Sequence, residues 1–318
     1  MTWLARNKLT IAPWLFLAPA LVFFVVYVVG PIFESIGLSF YEWNGLYTAD
    51  GESTAIWVGF ENYVKLWDDP KFWTSLRNNV AWLVLYMLAV PAGLGIALFL
   101  NQTTPGMRVY KSLFFFPFVI SQVVVGLIFG WFYNPDFGVV GSIWKAIYCE
   151  ETVNIVGNTT FRCARPVPDI LSSTQYATYG IIAAGLWPQI AYCMILYLTG
   201  LNNVAADQIE AARLDGAKGW RMLWFVVLPQ LKPATFIAIV VTVIGALRSF
   251  DMIAIMTAGG PGEGSTNVLA YYMFEVALSE YGFRYGYGSA IATVLFMIML
   301  VYISYFLWRM YQDERGGR

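Results

Sequence analysis

The chain has 318 residues, of which 58% are hydrophobic and 12% charged, and its formal net charge is −1. A soluble globular domain carries about a quarter charged residues, so this composition excludes one and indicates a polytopic membrane protein. Histidine is absent, which removes the usual general base and the commonest zinc ligand, and the near-neutral charge argues against a nucleic-acid partner.

Apolar runs long enough to cross a bilayer core, which takes ~20 residues, fall at about 11–33, 81–100, 113–132, 177–198, 234–256 and 289–308. They predict an all-α polytopic protein, six transmembrane helices in a single membrane domain over 1–318, with no soluble domain or low-complexity linker. The first run continues past signal-peptide length without a convincing cleavage site and reads as a retained span. Segments 1–10, 101–111, 201–232 and 309–318 hold 11 Lys and Arg in 63 positions, against 7 in the 115 positions of 34–77, 134–176 and 258–285. That bias places both termini and the loop 201–232 in the cytoplasm and the other three loops outside.

The first external loop is acidic and ends in Gly59-Phe60-Glu61-Asn62-Tyr63, then Phe72-Trp73 and Leu76-Arg77-Asn78-Asn79, a pattern suited to an interfacial helix with aromatic anchors. In the second, Tyr148 to Ile170 reads as a polar, irregular insertion bracketed by Cys149 and Cys163. On an oxidising side these two can close a disulfide or stay as unpaired thiols, while Cys193 sits in an apolar helix.

In the fourth span Trp187-Pro188-Gln189 interrupts the apolar run. Pro188 cannot donate to the Ala184 carbonyl and predicts a kink, and Gln189 needs a polar partner or a wet cavity. An indole beside an amide suits a sugar ring; a structural kink with Gln189 bonded to a neighbouring helix fits equally. Tyr192 and Gln122 are candidates of the same kind.

Residues 201–232 separate two apolar runs and must face an aqueous partner. Asn203 is a plausible N-cap for a helix over 204–214 with Glu210 and Arg213 at i,i+3, Gly216 supplies its ending turn, and a short helix after Gly219 is expected to stop at Leu228-Pro229. Pro233 suits the first turn of the next span. In that fifth span Thr242, Gly245 and Ser249 share a small, hydroxylated face, which can line a cavity or let helices pack closely. Arg248 and Asp251 are full charges well inside the run; three residues apart, they predict a structural ion pair, with Arg248 the better of the two for contacting substrate. Beyond it, Thr257-Ala258-Gly259-Gly260-Pro261-Gly262 marks a turn, Ser265 or Thr266 is expected to cap a following helix, and Tyr285-Gly286-Tyr287-Gly288 opens the last span.

Glu210, Ala211, Ala212, Gly216, Val226 and Leu228-Pro229 together resemble the "EAA" loop of ABC importer permeases, with Val226 where isoleucine is usual. Gly59 to Tyr63, Phe114-Phe115-Phe116-Pro117 and Thr257 to Pro261, which departs only at Ala258, are similar to the carbohydrate branch of those permeases. The resemblance covers nearly the whole chain and implies a type I ABC importer permease-like fold and a role as the membrane subunit of a carbohydrate importer, in a bacterial cytoplasmic (inner) membrane. It assigns Glu210, Ala211, Ala212, Asp215, Gly216, Leu228 and Pro229 to coupling with an ATPase; the expected substrate pathway combines Gln189, Trp187, Tyr192 and Arg248, read from their own chemistry, with Thr242 and Ser249. Thr242, Ala246 and Ser249 match positions that contact sugar in maltose-type permeases, although Ala246 has no hydrogen-bonding side chain.

The implied partners are a second, related permease, two ATPase subunits that hold ATP and Mg, and an extracytoplasmic solute-binding protein. The chain itself is expected to carry no catalytic residue, metal or cofactor: no phosphate-binding G-x-x-x-x-G-K-[ST] motif occurs, since Tyr110 stands where the second glycine would have to precede Lys111-Ser112. The rival reading is an ion-coupled secondary transporter, for which Arg248 and Asp251 would have to carry the coupling ion. A membrane-embedded enzyme, without histidine or a nucleophile and base pair, is weaker still.

Overall fold

The computed structural model describes residues 8–316 except 49, 51–52, 103, 154–158, 263 and 280–282. Four helices, Pro13–Leu38, Pro70–Leu100, Ala177–Asn202 and Tyr285–Gln312, are long and apolar enough to cross a membrane. Two bent pairs, Met107–Val119 with Gln122–Phe132 (98°) and Trp220–Gln230 with Lys232–Leu247 (71°), bring the spans among the described residues to six when each pair counts once. Chain contacts fall into two units, Met1–Asp69 with Met273–Met297, and Pro70–Tyr272 with Ile298–Arg318.

In the first unit the helix Lys8–Phe24 passes through a widened π turn, Val25–Val29, into Gly30–Leu38. The widening falls just before Pro31: Gly30 N–H reaches back five residues to the Val25 carbonyl, and Pro31, lacking a donor, follows without breaking the helix. The chain then forms a two-residue pairing, Tyr41–Glu42 with Ile56–Trp57, and the helix Glu61–Trp67. Asn62 Nδ2 donates to the Ser39 and Tyr41 carbonyls, each at 2.9 Å, and Ser39 Oγ lies 2.7 Å from the Tyr63 hydroxyl. The Asn-Tyr step thus staples this helix to the end of the first span. At the last span, a side chain on Gly286 would collide with the Tyr41 carbonyl and one on Gly288 with Ala277 Cβ, so the glycines there permit close packing.

The second unit packs Ala89–Leu100 against Ala177–Asn202 around buried Ala89, Ala97, Leu100, Cys193, Met194 and Tyr197. Gly93 is the crossing point, since any side chain there would strike Cys193 and the Met194 backbone. In lipid, where burying leucine expels no water, such close contact between small residues is what holds helices together. Asn78 Nδ2 donates to the Ser265 and Asn267 carbonyls, each at 2.8 Å, and Asn79 Oδ1 accepts from Leu269 N–H at 2.9 Å. The helix Leu269–Leu278 is therefore capped from another span, not by Ser265 or Thr266: Ser265 Oγ donates to the Pro261 carbonyl and Thr266 bonds the Thr257 hydroxyl.

Several expectations about breaks are corrected. The third run, 113–132, turns sharply where Ile120 and Ser121 are extended, and Ser121 Oγ caps the next helix by accepting from Val124 N–H at 3.4 Å. The fourth helix runs from Ala177 to Asn202 without interruption at Pro188. The fifth run divides: Lys232–Leu247 ends, Arg248 to Phe250 are non-helical, and Asp251–Met256 is a separate short helix. The insertion after Tyr148 is a regular hairpin, Cys149–Val153 antiparallel to Thr159–Cys163; Cys149 stands opposite Cys163, and a disulfide joins them.

Candidate functional site

Two features of the second unit carry functional geometry. The first is the polar segment between the fourth and fifth spans. Its helix is Ala206–Leu214, and the residue before it is Ala205, which has no capping side chain; Asn203 instead ends the fourth span. Ala205 N–H is satisfied from the far side of the loop, by Gln230 Oε1 at 3.1 Å.

The helix ends in a complete Schellman turn: Gly216 N–H bonds the Arg213 carbonyl, Ala217 N–H bonds Ala212 (2.9 Å), and Gly216 adopts φ 81°. Only glycine takes that conformation at no cost, which explains its place after the Glu-Ala-Ala triplet. Glu210, Ala211, Asp215 and Gly216 are exposed, and Leu214 is 90% exposed. Glu210 and Arg213, although three residues apart, form no ion pair: among the described residues both ion pairs belong to Lys65. Leu228-Pro229 does not stop the helix; a π turn over Leu223–Val227 sends Leu228 N–H to the Leu223 carbonyl, and the bend comes at Leu231.

The second feature is a cavity of about 330 Å³ walled by Gln189, Gly245, Arg248, Ser249 and Asp251, with Tyr86, Gln122 and Phe250 among the other lining residues. The break at Arg248 to Phe250 makes it. Because the helix stops, Arg248 and Asp251 are no longer one turn apart, and both are exposed on the cavity wall. The predicted ion pair between them is absent, since i,i+3 proximity requires the helix to continue. Ser249 Oγ donates to the Gly245 carbonyl at 3.1 Å, which leaves its oxygen able to accept.

Gln189 Nε2 donates to Thr242 Oγ1 at 2.9 Å, so both readings of Gln189 apply: it bonds a neighbouring helix and it lines the cavity. Thr242 and Ala246 are fully buried and are not among the lining residues, so neither reaches the cavity directly. Trp187, in edge contact with Phe129, and Tyr192, stacked on Phe118 at 5.1 Å, are not among the lining residues. Tyr86 was not singled out from the sequence: its phenol lies where a side chain on Gly185 would be, a tertiary pairing with no local signal.

A six-span α-helical protein with a polar cavity beside a helix break and an exposed helix between two spans has the build of a transporter's membrane subunit. The chain belongs to the family of binding-protein-dependent transport system inner membrane components, whose description fits residues 89–315, and is accordingly a multi-pass inner-membrane protein. It is 33% identical over 304 residues to a probable ABC transporter permease protein of Pyrococcus horikoshii, covering 94% of this chain and 96% of that one. With the multiple sugar-binding transport system permease protein MsmF of Streptococcus mutans it shares 31% identity over 288 residues, 90% of each chain. A subunit of a bacterial ABC transporter involved in the import of the acidic polysaccharide alginate has the same fold, with a TM-score of 0.75 at 21% identity over 99% of this chain and 98% of that one.

Proposed function

We propose that this chain is the permease subunit of an ATP-driven carbohydrate importer and forms half of its translocation pathway. The observation that carries this reading is the cavity at the break in the fifth span. Gln122, Gln189, Ser249, Arg248 and Asp251 offer donors and acceptors for hydroxyl groups, and Tyr86 and Phe250 offer faces for the C–H side of a sugar ring. A relative named for multiple-sugar transport supports the substrate class.

In this reading the chain pairs with a second, related permease and does no covalent chemistry. One of two ATPase subunits binds the exposed helix Ala206–Leu214 and its Gly216 turn, the other binds the second permease, and a solute-binding protein delivers the sugar from outside, both termini being cytoplasmic. Closure of the ATPases shifts the cavity between inward and outward access, the differing affinities of the two states setting direction. The test is sugar uptake by proteoliposomes containing all subunits: uptake should require internal ATP and the binding protein. ATP-independent uptake by this chain alone would instead support ion coupling, for which the unpaired Asp251 is the group available.

A further inference from the structure

A second groove, distant in sequence from the helix break, lies between the start of Met107–Val119 and the end of Ala177–Asn202. It measures about 330 Å³ and is lined at its polar end by Lys111, Ser112 and Asn202 and deeper in by Phe115, Ile195 and Leu198. Lys111, half-buried, has no ion pair among the described residues, and the Ser112 hydroxyl and Asn202 amide make no hydrogen bond there. Three donors thus converge on one end of an apolar slot with no protein acceptor.

The surrounding sequence supplies no counter-charge. Neither of the two helices that line it, Met107–Val119 and Ala177–Asn202, contains an Asp or Glu, although Arg108, one turn before Lys111, adds a second cation. What the groove lacks is an anion with several acceptor oxygens, joined to an apolar chain that runs toward the middle of the span. We propose that it binds an anionic phospholipid, the phosphate held by Lys111, Ser112 and Asn202 and one acyl chain laid along Phe115, Ile195 and Leu198. Charge complementarity favours this occupant over a protein. The order of the lining residues favours it too, because polar groups at the helix ends and apolar groups deeper repeat the order of headgroup and hydrocarbon in a leaflet. Basic pockets between spans are a recurrent form of lipid recognition.

The experiment is native mass spectrometry of the full-length chain, purified from membranes in its native assembly and exchanged into nanodiscs of phosphatidylglycerol or phosphatidylcholine. Retained phosphatidylglycerol should exceed phosphatidylcholine. Lys111→Gln should lower that preference about five-fold, the contribution of one basic residue near an anionic membrane surface, while Lys111→Arg keeps it. If Lys111→Gln does not assemble, Asn202→Leu, which fills the polar end without changing charge, should reduce retention of both lipids. Equal retention of the two lipids by the wild type, or an unchanged preference in Lys111→Gln, overturns the proposal. Displacement of the bound lipid by millimolar inorganic phosphate would make the ligand a free anion and overturn it as well. Shielding of Lys111 from an amine-reactive reagent in lipid-stripped protein would show that a protein covers the groove, with the same result.

Discussion

Gln189 on the fourth span donates to Thr242 on the fifth across 2.9 Å, and Gln189 lines the cavity while Thr242 lies wholly beneath it. If the cavity is the sugar pathway proposed above, Thr242 acts on substrate through Gln189, by fixing the amide so that its oxygen is held beside Gly245. Thr242→Val keeps the shape and removes the acceptor. Leaving a buried donor unpaired costs ~1–3 kcal/mol, so uptake should weaken by about ten-fold, a factor equivalent to 1.4 kcal/mol. Gln189→Ala should do the same, and the double variant should be no worse than either alone. Effects that multiply in the double variant would show that the two residues act separately, and the hydrogen bond would lose the role given to it.

Arg248 and Asp251 give a second test. A buried ion pair broken from one side costs several kcal/mol and the double variant recovers much of it. Two groups that face a cavity without touching behave differently. Arg248→Gln and Asp251→Asn should each alter sugar affinity, their effects should add within about 0.5 kcal/mol, and neither should lower the yield of assembled protein. Loss of assembly in Asp251→Asn, rescued by adding Arg248→Gln, would restore the ion pair.

The number of spans was legible because run length alone determines it. Where those spans break was not. Only Arg248, Ser249 and Phe250 separate Lys232–Leu247 from Asp251–Met256, and apolar residues flank them on both sides, so a span-length hydropathy window passes over the gap; the trace it did leave was a pair of charges at positions no continuous span tolerates cheaply. The turn at Ile120 and Ser121 had a better local signal, a cap residue three positions before the Val124 N–H it bonds, hidden in an apolar run. Proline misled in the other direction at 229, where the helix was expected to stop. A preceding π turn accounts for the unbroken helix at Pro229, and no local sequence pattern announces one. Tyr86 could not be found, and Asn78 and Asn79, although part of the pattern before the second span, gave no sign of what they bond, because these partners lie about 100 and 190 residues away.

For the exposed loop, the Schellman turn at Gly216 predicts a sharp dependence on backbone rather than side chain. Gly216→Ala must hold a left-handed conformation at ~1–2 kcal/mol and should retain part of the ATP-driven uptake. Gly216→Pro removes the N–H that bonds the Arg213 carbonyl and cannot take φ 81° at all, so it should abolish uptake. Glu210→Ala should reduce it. Assembly of the membrane domain should survive in all three, since 206–216 packs few buried residues. Coupled uptake at wild-type rate in both Glu210→Ala and Gly216→Pro would rule out an ATPase contact here.

Cys149 and Cys163 close a hairpin at a sequence separation of 14. A loop of that size gains ~3 kcal/mol in the chain-entropy account, by restricting the unfolded chain rather than by shaping the membrane domain. Replacing both by serine should increase protease cleavage between them and leave uptake unchanged. Intact-mass measurement of unreduced protein provides the direct check: two free thiols under oxidising conditions would remove the bridge.

The turn after the fifth span offers a test of stability in the opposite direction. Gly259, Gly260 and Gly262 all have positive φ, and so does Ala258, at 48°. Three glycines take these values freely, but Ala258 places its Cβ against the following carbonyl at ~1–2 kcal/mol. Nothing in its surroundings repays that cost: the side chain is exposed. The turn itself is held from outside, by Asn78 on the carbonyls of Ser265 and Asn267 and by the Thr257 to Thr266 hydroxyl bond, so the backbone there is set by tertiary contacts rather than by residue 258. Ala258→Gly should therefore raise stability, the relieved strain outweighing the extra freedom of glycine in the unfolded chain, which offsets ~0.4–1 kcal/mol. A net gain of about 0.5 kcal/mol, read as a small rise in the unfolding midpoint of detergent-solubilised protein, is the expected result. Asn78→Ala should lower the midpoint, and combining it with Ala258→Gly should cancel the gain, because without the clip the turn can relax and the left-handed angle at 258 is no longer imposed. A midpoint that falls on Ala258→Gly alone would mean the alanine makes a contact that this conformation does not display.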